Sequence, residues 1–179
     1  FIKTSGILVL GTALPIKASR PDALSNEVLA PNLFVALDTD GTVTVTSHRS
    51  EMGQGIRTAI AQIVADEMEA DWSHVQVAQA QGDKAYGDQN TDGSQSIRLF
   101  LDKLRRAGAT ARQMLETAAA NRWDVPVSEC EALNHFVKHK PSGRKLAYGE
   151  LAAEASNLSV PRNVNLKARE DFRYIGKGM

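Results

Sequence analysis

Apolar residues between Leu33 and Arg122 switch from a period of two to helical spacing and back, which confines the chain to folds where strands and helices share one core. Leu33-Phe34-Val35-Ala36-Leu37-Asp38 reads as a strand and Thr42-Val43-Thr44-Val45-Thr46 as its partner. Asp40-Gly41 between such runs is a hairpin signal, because glycine accepts positive φ without a Cβ clash. Ile56, Ile60, Ile63, Val64 and Met68 then fall on one face of a helix, and Val75-Gln76-Val77 returns to strand. A longer helix is expected over 97–122, with Ile97, Leu101, Leu104, Ala111, Leu115 and Ala118 on its buried face. Its small residues, Ala107-Gly108-Ala109, permit close approach of a neighbour. Short strands near Phe136-Val137 and Lys145-Leu146-Ala147 and a small helix over 148–156 complete the expectation. The fold class is α/β (α+β), a mixed sheet with an N-terminal hairpin and two principal helices.

Three segments are expected: a signal-like stretch with a Pro/Ser/Asn-rich linker over 1–32, the folded domain over 33–160, and an extended tail over 161–179 leading to another domain. A length of 179 residues is enough to bury a core without staples. Lys+Arg and Asp+Glu are 21 each, so the basic excess of a nucleic-acid binder is missing. Cys130 is the only cysteine, which excludes an internal disulfide, a thiolate-ligated iron–sulfur cluster and thiolate-rich zinc sites. Electrons moving through such a chain must therefore leave to another segment or partner. The apolar run Gly6 to Ile16 is shorter than the roughly 20 residues a spanning helix needs. It fits the apolar region of a secretory signal, or an ordinary N-terminal segment packed on the domain.

Chemistry is concentrated where two loops open helices. Gly53-Gln54-Gly55 precedes the first, and Thr91-Asp92-Gly93-Ser94-Gln95-Ser96 the second. A helix start presents unpaired N–H groups and roughly half a unit of positive charge, so it favours anions. Glycines let a backbone approach a ligand closely. Ser94 and Ser96 add hydroxyls, Gln54 and Gln95 amides, and Arg57 and Arg98 lie within a turn of each start. Taken alone, Gly53-Gln54-Gly55 also reads as a tight strand-to-helix turn, and Ser94 and Ser96 as plain caps. No P-loop pattern is present.

The order of these segments resembles the molybdopterin-binding domain of the xanthine oxidase family of molybdenum hydroxylases. The resemblance rests on Asp40-Gly41-Thr42-Val43, Glu51-Met52-Gly53-Gln54-Gly55, Ala70-Asp71-Trp72-Ser73-His74-Val75 and Gly93-Ser94-Gln95-Ser96. Arg106-Ala107-Gly108-Ala109-Thr110-Ala111-Arg112 and Asp171-Phe172-Arg173-Tyr174-Ile175-Gly176-Lys177 look like the branch typified by the isoquinoline 1-oxidoreductase β subunit. It covers nearly all of residues 31–177. It implies part of a molybdenum subunit that hydroxylates an aldehyde or an N-heteroaromatic substrate. The implied cofactor is molybdopterin, in its cytosine dinucleotide form, with molybdenum. Gly53, Gln54 and Gly55 would line one side of it, and Gly93, Ser94, Gln95 and Ser96 the other. A 2Fe–2S cluster is implied only on an iron–sulfur partner subunit. Because that branch commonly opens with a twin-arginine signal, Phe1-Ile2-Lys3 suits its second half, and a periplasmic location follows as an expectation, with the cytoplasm left open.

One departure matters. The family's glutamate base lies in a Gly-x-Gly-Glu segment that this sequence lacks, so no catalytic residue is assigned. Glu51 belongs to the cofactor loop, and Glu150 reads as a helix-start residue. The chain is expected to be one piece of a longer polypeptide or a split subunit, with a non-catalytic scaffold domain as the alternative. His135 and His139 share an i, i+4 spacing but show no third ligand, so no metal site is assigned. His48 either meets a phosphate or caps the strand end. Trp72 and Trp123 read as core, and the arginines of the second helix as a solvated face with a subunit contact as the lesser reading.

Overall fold

The computed structural model describes residues 28–177, so the signal-like opening, most of the linker and Gly178-Met179 lie outside the described residues. Strands β1 (Leu29–Asn32), β2 (Val35–Leu37), β3 (Val43–Ser47) and β4 (Val75–Gln79) form one sheet in that order. The first two junctions are antiparallel and β3–β4 is parallel, so the sheet is mixed as expected. A parallel pair needs a crossover, and helix α1 (Ile56–Met68) supplies it. At the β2–β3 turn Gly41 takes φ +90, its N–H donates to the Asp38 carbonyl, and Thr42 N–H donates to the Asp40 carboxylate. Val43, Val45 and Ser47 are buried while Thr44 and Thr46 are half-buried, which is the alternation the sequence shows.

Two local readings change. The stretch 33–38 is not one strand, because Asn32 accepts a hydrogen bond from Phe34 N–H and turns the chain there. Leu29–Asn32, expected as linker, becomes the edge strand β1; Pro31 is tolerated because an edge leaves one N–H row unpaired. The long helix is also divided. A short helix α2 (Gln95–Arg98) is followed by α3 (Leu101–Trp123), with Leu99 and Phe100 between. Phe100 is buried with its ring 4.2 Å from that of His48, so tertiary packing overrides helical continuity there.

Helices α1 and α3 cross at Gly108, where an added Cβ would lie 2.5 Å from the Val64 carbonyl oxygen and 3.0 Å from Glu67 Cβ. The small-residue reading of that segment therefore holds. Beyond α3 a second, antiparallel sheet forms from β5 (Cys130–Leu133), β6 (Phe136–His139) and β7 (Lys145–Ala147), followed by α4 (Tyr148–Ser156). Strand β5 was not expected, and neither was a separate sheet. Asn134 and His135, both at positive φ, make the two-residue turn between β5 and β6. Glu150 accepts from Ala147 N–H at 2.8 Å, as a helix-start residue does.

Arg105 and Arg112 of α3 correct the solvated-face reading, which holds for the exposed Arg106 and its partner Asp102. Asp66 and Glu67 at the C-terminal end of α1 are fully buried, and buried carboxylates require donors. Arg105 Nε donates to Glu67 at 2.6 Å, and Arg112 donates to the Glu67 carbonyl. The segment 165–175 lies across the same carboxylates. Asp66 accepts from the N–H groups of Arg173, Tyr174 and Ile175, Glu67 accepts from Lys167 N–H, and Glu69 pairs with Lys167 and Arg173. Trp72 and Trp123 are partly buried against the core.

Candidate functional site

The loop from β3 to α1 is organised by its own glutamate. One carboxylate oxygen of Glu51 accepts from Gly53 N–H at 2.7 Å and Gly55 N–H at 3.0 Å; the other accepts from Arg57 N–H at 3.2 Å. These donors, chiefly the Gly55 and Arg57 amides, hold its carboxyl below the usual carboxylate range. Gly53 and Gly55 take φ +94 and +80, and nothing lies within 4 Å of a Cβ built on either. The Gln54 side chain is committed within the loop, donating to Ser50 O and accepting from Met52 N–H. Arg57 donates to the Val77 carbonyl, so its guanidinium is engaged on β4. The expectation that the start of α1 is wholly free for a guest is corrected in part, because Glu51 takes the Gly55 and Arg57 N–H groups.

Residues between β4 and α3 form the opposite wall. Gly93 and Ser94 are both left-handed, at φ +50 and +55, and Gln95 folds back beneath Gly93. Among the described residues the Ser94 and Ser96 side chains make no hydrogen bond within the chain. The segment is tied to the first loop residue by residue. Gln89 Nε2 donates to His48 O at 3.3 Å, Arg49 Nη2 lies 3.5 Å from Asp88 Oδ2, and Ser50 N–H donates to Thr91 Oγ1 at 3.0 Å.

Between the two walls runs a cleft of about 450 Å³, a size suited to a cofactor-scale molecule. Gln54, Gly55, Gly93, Ser94 and Ser96 line it, with Ile56, Ala59 and Ile97 as its apolar floor and Thr91 and Asp92 at the second wall. Five of the seven residues singled out from sequence thus share one cavity. Gly53 and Gln95 do not line it, and the Gln95 side chain packs against Gly93. Sequence reasoning named Thr91 and Asp92 within the second loop without choosing them as site residues, read Ile56 and Ile97 only as helix-face residues, and missed Ala59. Arg98 is exposed and does not line the cleft. The left-handed glycines at Gly55 and Gly93 and the free hydroxyls fit a flat, polar, anion-bearing guest.

The histidines fall elsewhere. His48 is buried between Phe34 and Phe100, makes no hydrogen bond through its ring, and does not line the cleft. Burial first, then the charges of Arg49 and Lys103, push its pKa down to about 4. His135 stacks on His74 and touches Tyr148; burial and then His74 bring it to about 4 as well. His139 is held by Ser142 and Glu129. Both His135 and His139 are buried, so the i, i+4 spacing marks a β-turn and its strand. No group of three or more His, Cys, Asp or Glu among the described residues could hold a metal ion.

The profile of the molybdopterin cofactor-binding domain family matches residues 6–178. The chain is 41% identical over 142 residues to the isoquinoline 1-oxidoreductase subunit beta of Brevundimonas diminuta, covering 75% of this chain and 18% of that one. It is 33% identical over 151 residues to a membrane-bound aldehyde dehydrogenase (pyrroloquinoline-quinone) of Gluconacetobacter polyoxogenes, covering 82% and 19%. The reconstituted CO dehydrogenase of Oligotropha carboxidovorans shares the fold, with a TM-score of 0.59 at 23% identity over 74% of this chain and 16% of that one. The chain thus spans about a fifth of the curated relatives it matches. The sequence segments that frame the cleft and the profile that spans them agree, and the chain belongs to the molybdopterin cofactor-binding domain family.

Proposed function

We propose that this chain forms part of the cofactor cleft of an oxidoreductase that hydroxylates an aldehyde or an N-heteroaromatic compound. The observation that carries it is that the Gly53–Gly55 loop and the Thr91–Ile97 segment face one cleft of about 450 Å³. A molybdenum pterin supplies two-electron oxidation when bound. The chain's own part is to hold it. Gly55 leaves a gap without a side chain in one wall, and Ser94 and Ser96 present hydroxyl donors on the other. Glu51 shares the start of α1 through the Gly55 and Arg57 amides, and the serine side would add hydroxyl donors for the phosphate of the guest. Gly93 and Gln95 shape that side, and Gln54 closes the first loop on itself.

The finer reading includes the cytosine dinucleotide form of the cofactor, a 2Fe–2S cluster on a partner subunit, and further domains of the molybdenum subunit that bring the substrate pocket and its base. The lone cysteine supports a partner-borne cluster. Export to the periplasm belongs to the same reading, on the strength of the Phe1-Ile2-Lys3 opening and the apolar run after it. Fractionating the producing cells tests that part.

Cofactor analysis of the natively purified protein, with whatever co-purifies, tests the main reading. Stoichiometric molybdenum and a released pterin cytidine nucleotide are expected. Pyrroloquinoline quinone in place of both would redirect the assignment toward quinone chemistry. Absence of all three from the intact assembly would leave a scaffold domain. Ser94→Gly, which keeps the left-handed backbone, and Ser96→Ala should each lower cofactor affinity by about ten- to a hundredfold, since a hydrogen bond to a charged oxygen contributes about 1.5–3 kcal/mol.

A further inference from the structure

The second wall has little order of its own. Between β4 and α3 its regular pieces are a three-residue 3₁₀ turn (Lys84–Tyr86) and the four-residue α2, both too short to hold themselves. Ser94 and Gly93 also sit in the left-handed region, which for serine is unfavourable and has to be imposed by the surroundings. Something outside the segment must therefore set where it stands relative to the Gly53–Gly55 loop.

Arg49 is placed to do that. The two ends of the segment meet, because a Cβ on Gly87 would lie 3.8 Å from the Phe100 ring. Arg49 touches both ends at once: its guanidinium lies 4.8 Å from the Phe100 ring centroid, and Nη2 is 3.5 Å from Asp88 Oδ2. Its side chain is fully buried, and Nε and Nη1 make no hydrogen bond within the chain, so Asp88 is its one ion-pair partner among the described residues. Asp88 in turn uses its other oxygen on Asn90 N–H, which carries the contact into the wall. That amide, and further down the Arg49 charge, hold its carboxyl below the usual range, so it is ionised at neutral pH. On the opposite side Ser50 accepts from both Thr91 and Gln54, joining the contact to the first loop. Neither Arg49, Asp88 nor Phe100 lines the cleft.

We propose that Arg49 is a positioning residue for the cofactor cleft, clasping both ends of the Gly87–Phe100 segment and so fixing the gap between the Gly55 and Ser94 walls. The inference rests on the cofactor reading above. A planar guanidinium can lie over an aromatic ring and meet a carboxylate at its edge, whereas a lysine ammonium is a point charge without that shape. The role is therefore specific to arginine.

Two measurements on Arg49→Lys, Asp88→Asn and Asp88→Glu test it. The first is amide exchange over 88–98 in the chain itself; the second is the rate at which molybdenum and pterin are lost from the natively purified protein. Arg49→Lys and Asp88→Asn should each speed exchange over 88–98 about tenfold, leave α1 and α3 protected, and speed cofactor loss to a similar degree. Asp88→Glu should restore both to within about threefold of wild type. Should Arg49→Lys fail to fold, Asp88→Asn decides, because the Asp88 side chain is 43% exposed. Exchange within about twofold of wild type in the variants overturns the clasp. Faster exchange with unchanged cofactor loss overturns its role in the cleft. A wild-type protein that carries no pterin overturns the cofactor reading, and the exchange result then speaks for the clasp alone.

Discussion

His48 and His135 show how single residues make the domain pH-sensitive away from its cleft. Each has a folded pKa of about 4 against an ordinary value of 6.5. Between those values the unfolded chain binds protons that the folded chain excludes, so stability falls as pH drops from about 6.5 to about 4 and is level above that window. Each contributes up to about 3 kcal/mol across it. Urea unfolding of the chain at pH 7.5, 5.5 and 4.5 should show that decline, and His48→Gln with His135→Gln should flatten it. An equal decline in the double variant would move the cause to other groups. Glu51 behaves in the opposite sense: its carboxyl is held low, so its contribution is full above the ordinary carboxylate pKa and lost as pH falls through the lowered one. The Gly53-Gln54-Gly55 signature was legible in sequence as a turn built for close approach. What could not be read was that Glu51, two residues earlier, supplies the anion to α1, since a carboxylate reaching forward and one reaching solvent have the same spelling.

At the scale of elements, the α1–α3 crossing governs the core. Gly108→Ala places a Cβ 2.5 Å from a backbone oxygen of the neighbouring helix, and backbone cannot yield as a flexible side chain can. We expect a loss of about 1–3 kcal/mol, measured by chemical unfolding, where Ala would ordinarily stabilise a helix interior. Helix α1 and the hairpin β2–β3 were legible because their periodicity is strong and uninterrupted. The break before α3 was not, because Ile97, Leu101 and Leu104 keep helical spacing straight through Leu99 and Phe100. Only the buried neighbours His48 and Arg49 explain why the helix yields there. Strands β1 and β5 were missed for a related reason. Leu-Ala-Pro-Asn and Cys-Glu-Ala-Leu carry weak strand propensity, and pairing with β2 and β6 decides their conformation.

For the whole molecule, the buried carboxylates at the end of α1 tie distant parts of the chain together. Glu67 receives Arg105 and Arg112 from α3 and Lys167 from the tail, and Asp66 receives three consecutive tail amides. Glu67→Ala leaves cationic partners without their counter-charge in a buried setting, at a cost of about 3–5 kcal/mol. Limited proteolysis should then cut within 160–175 first. Cleavage elsewhere, with the tail still protected, would show that the carboxylates do not hold it. The acidic residues were visible in the sequence as the end of a helix, yet their burial depended on partners up to 109 residues away. During synthesis those partners leave the ribosome about a hundred residues after α1. Until residue 175 has emerged, the acidic end of α1 lacks the amides that let it shed water. The nascent domain is thus held open at one corner and seals only when residues 167–175 are in reach.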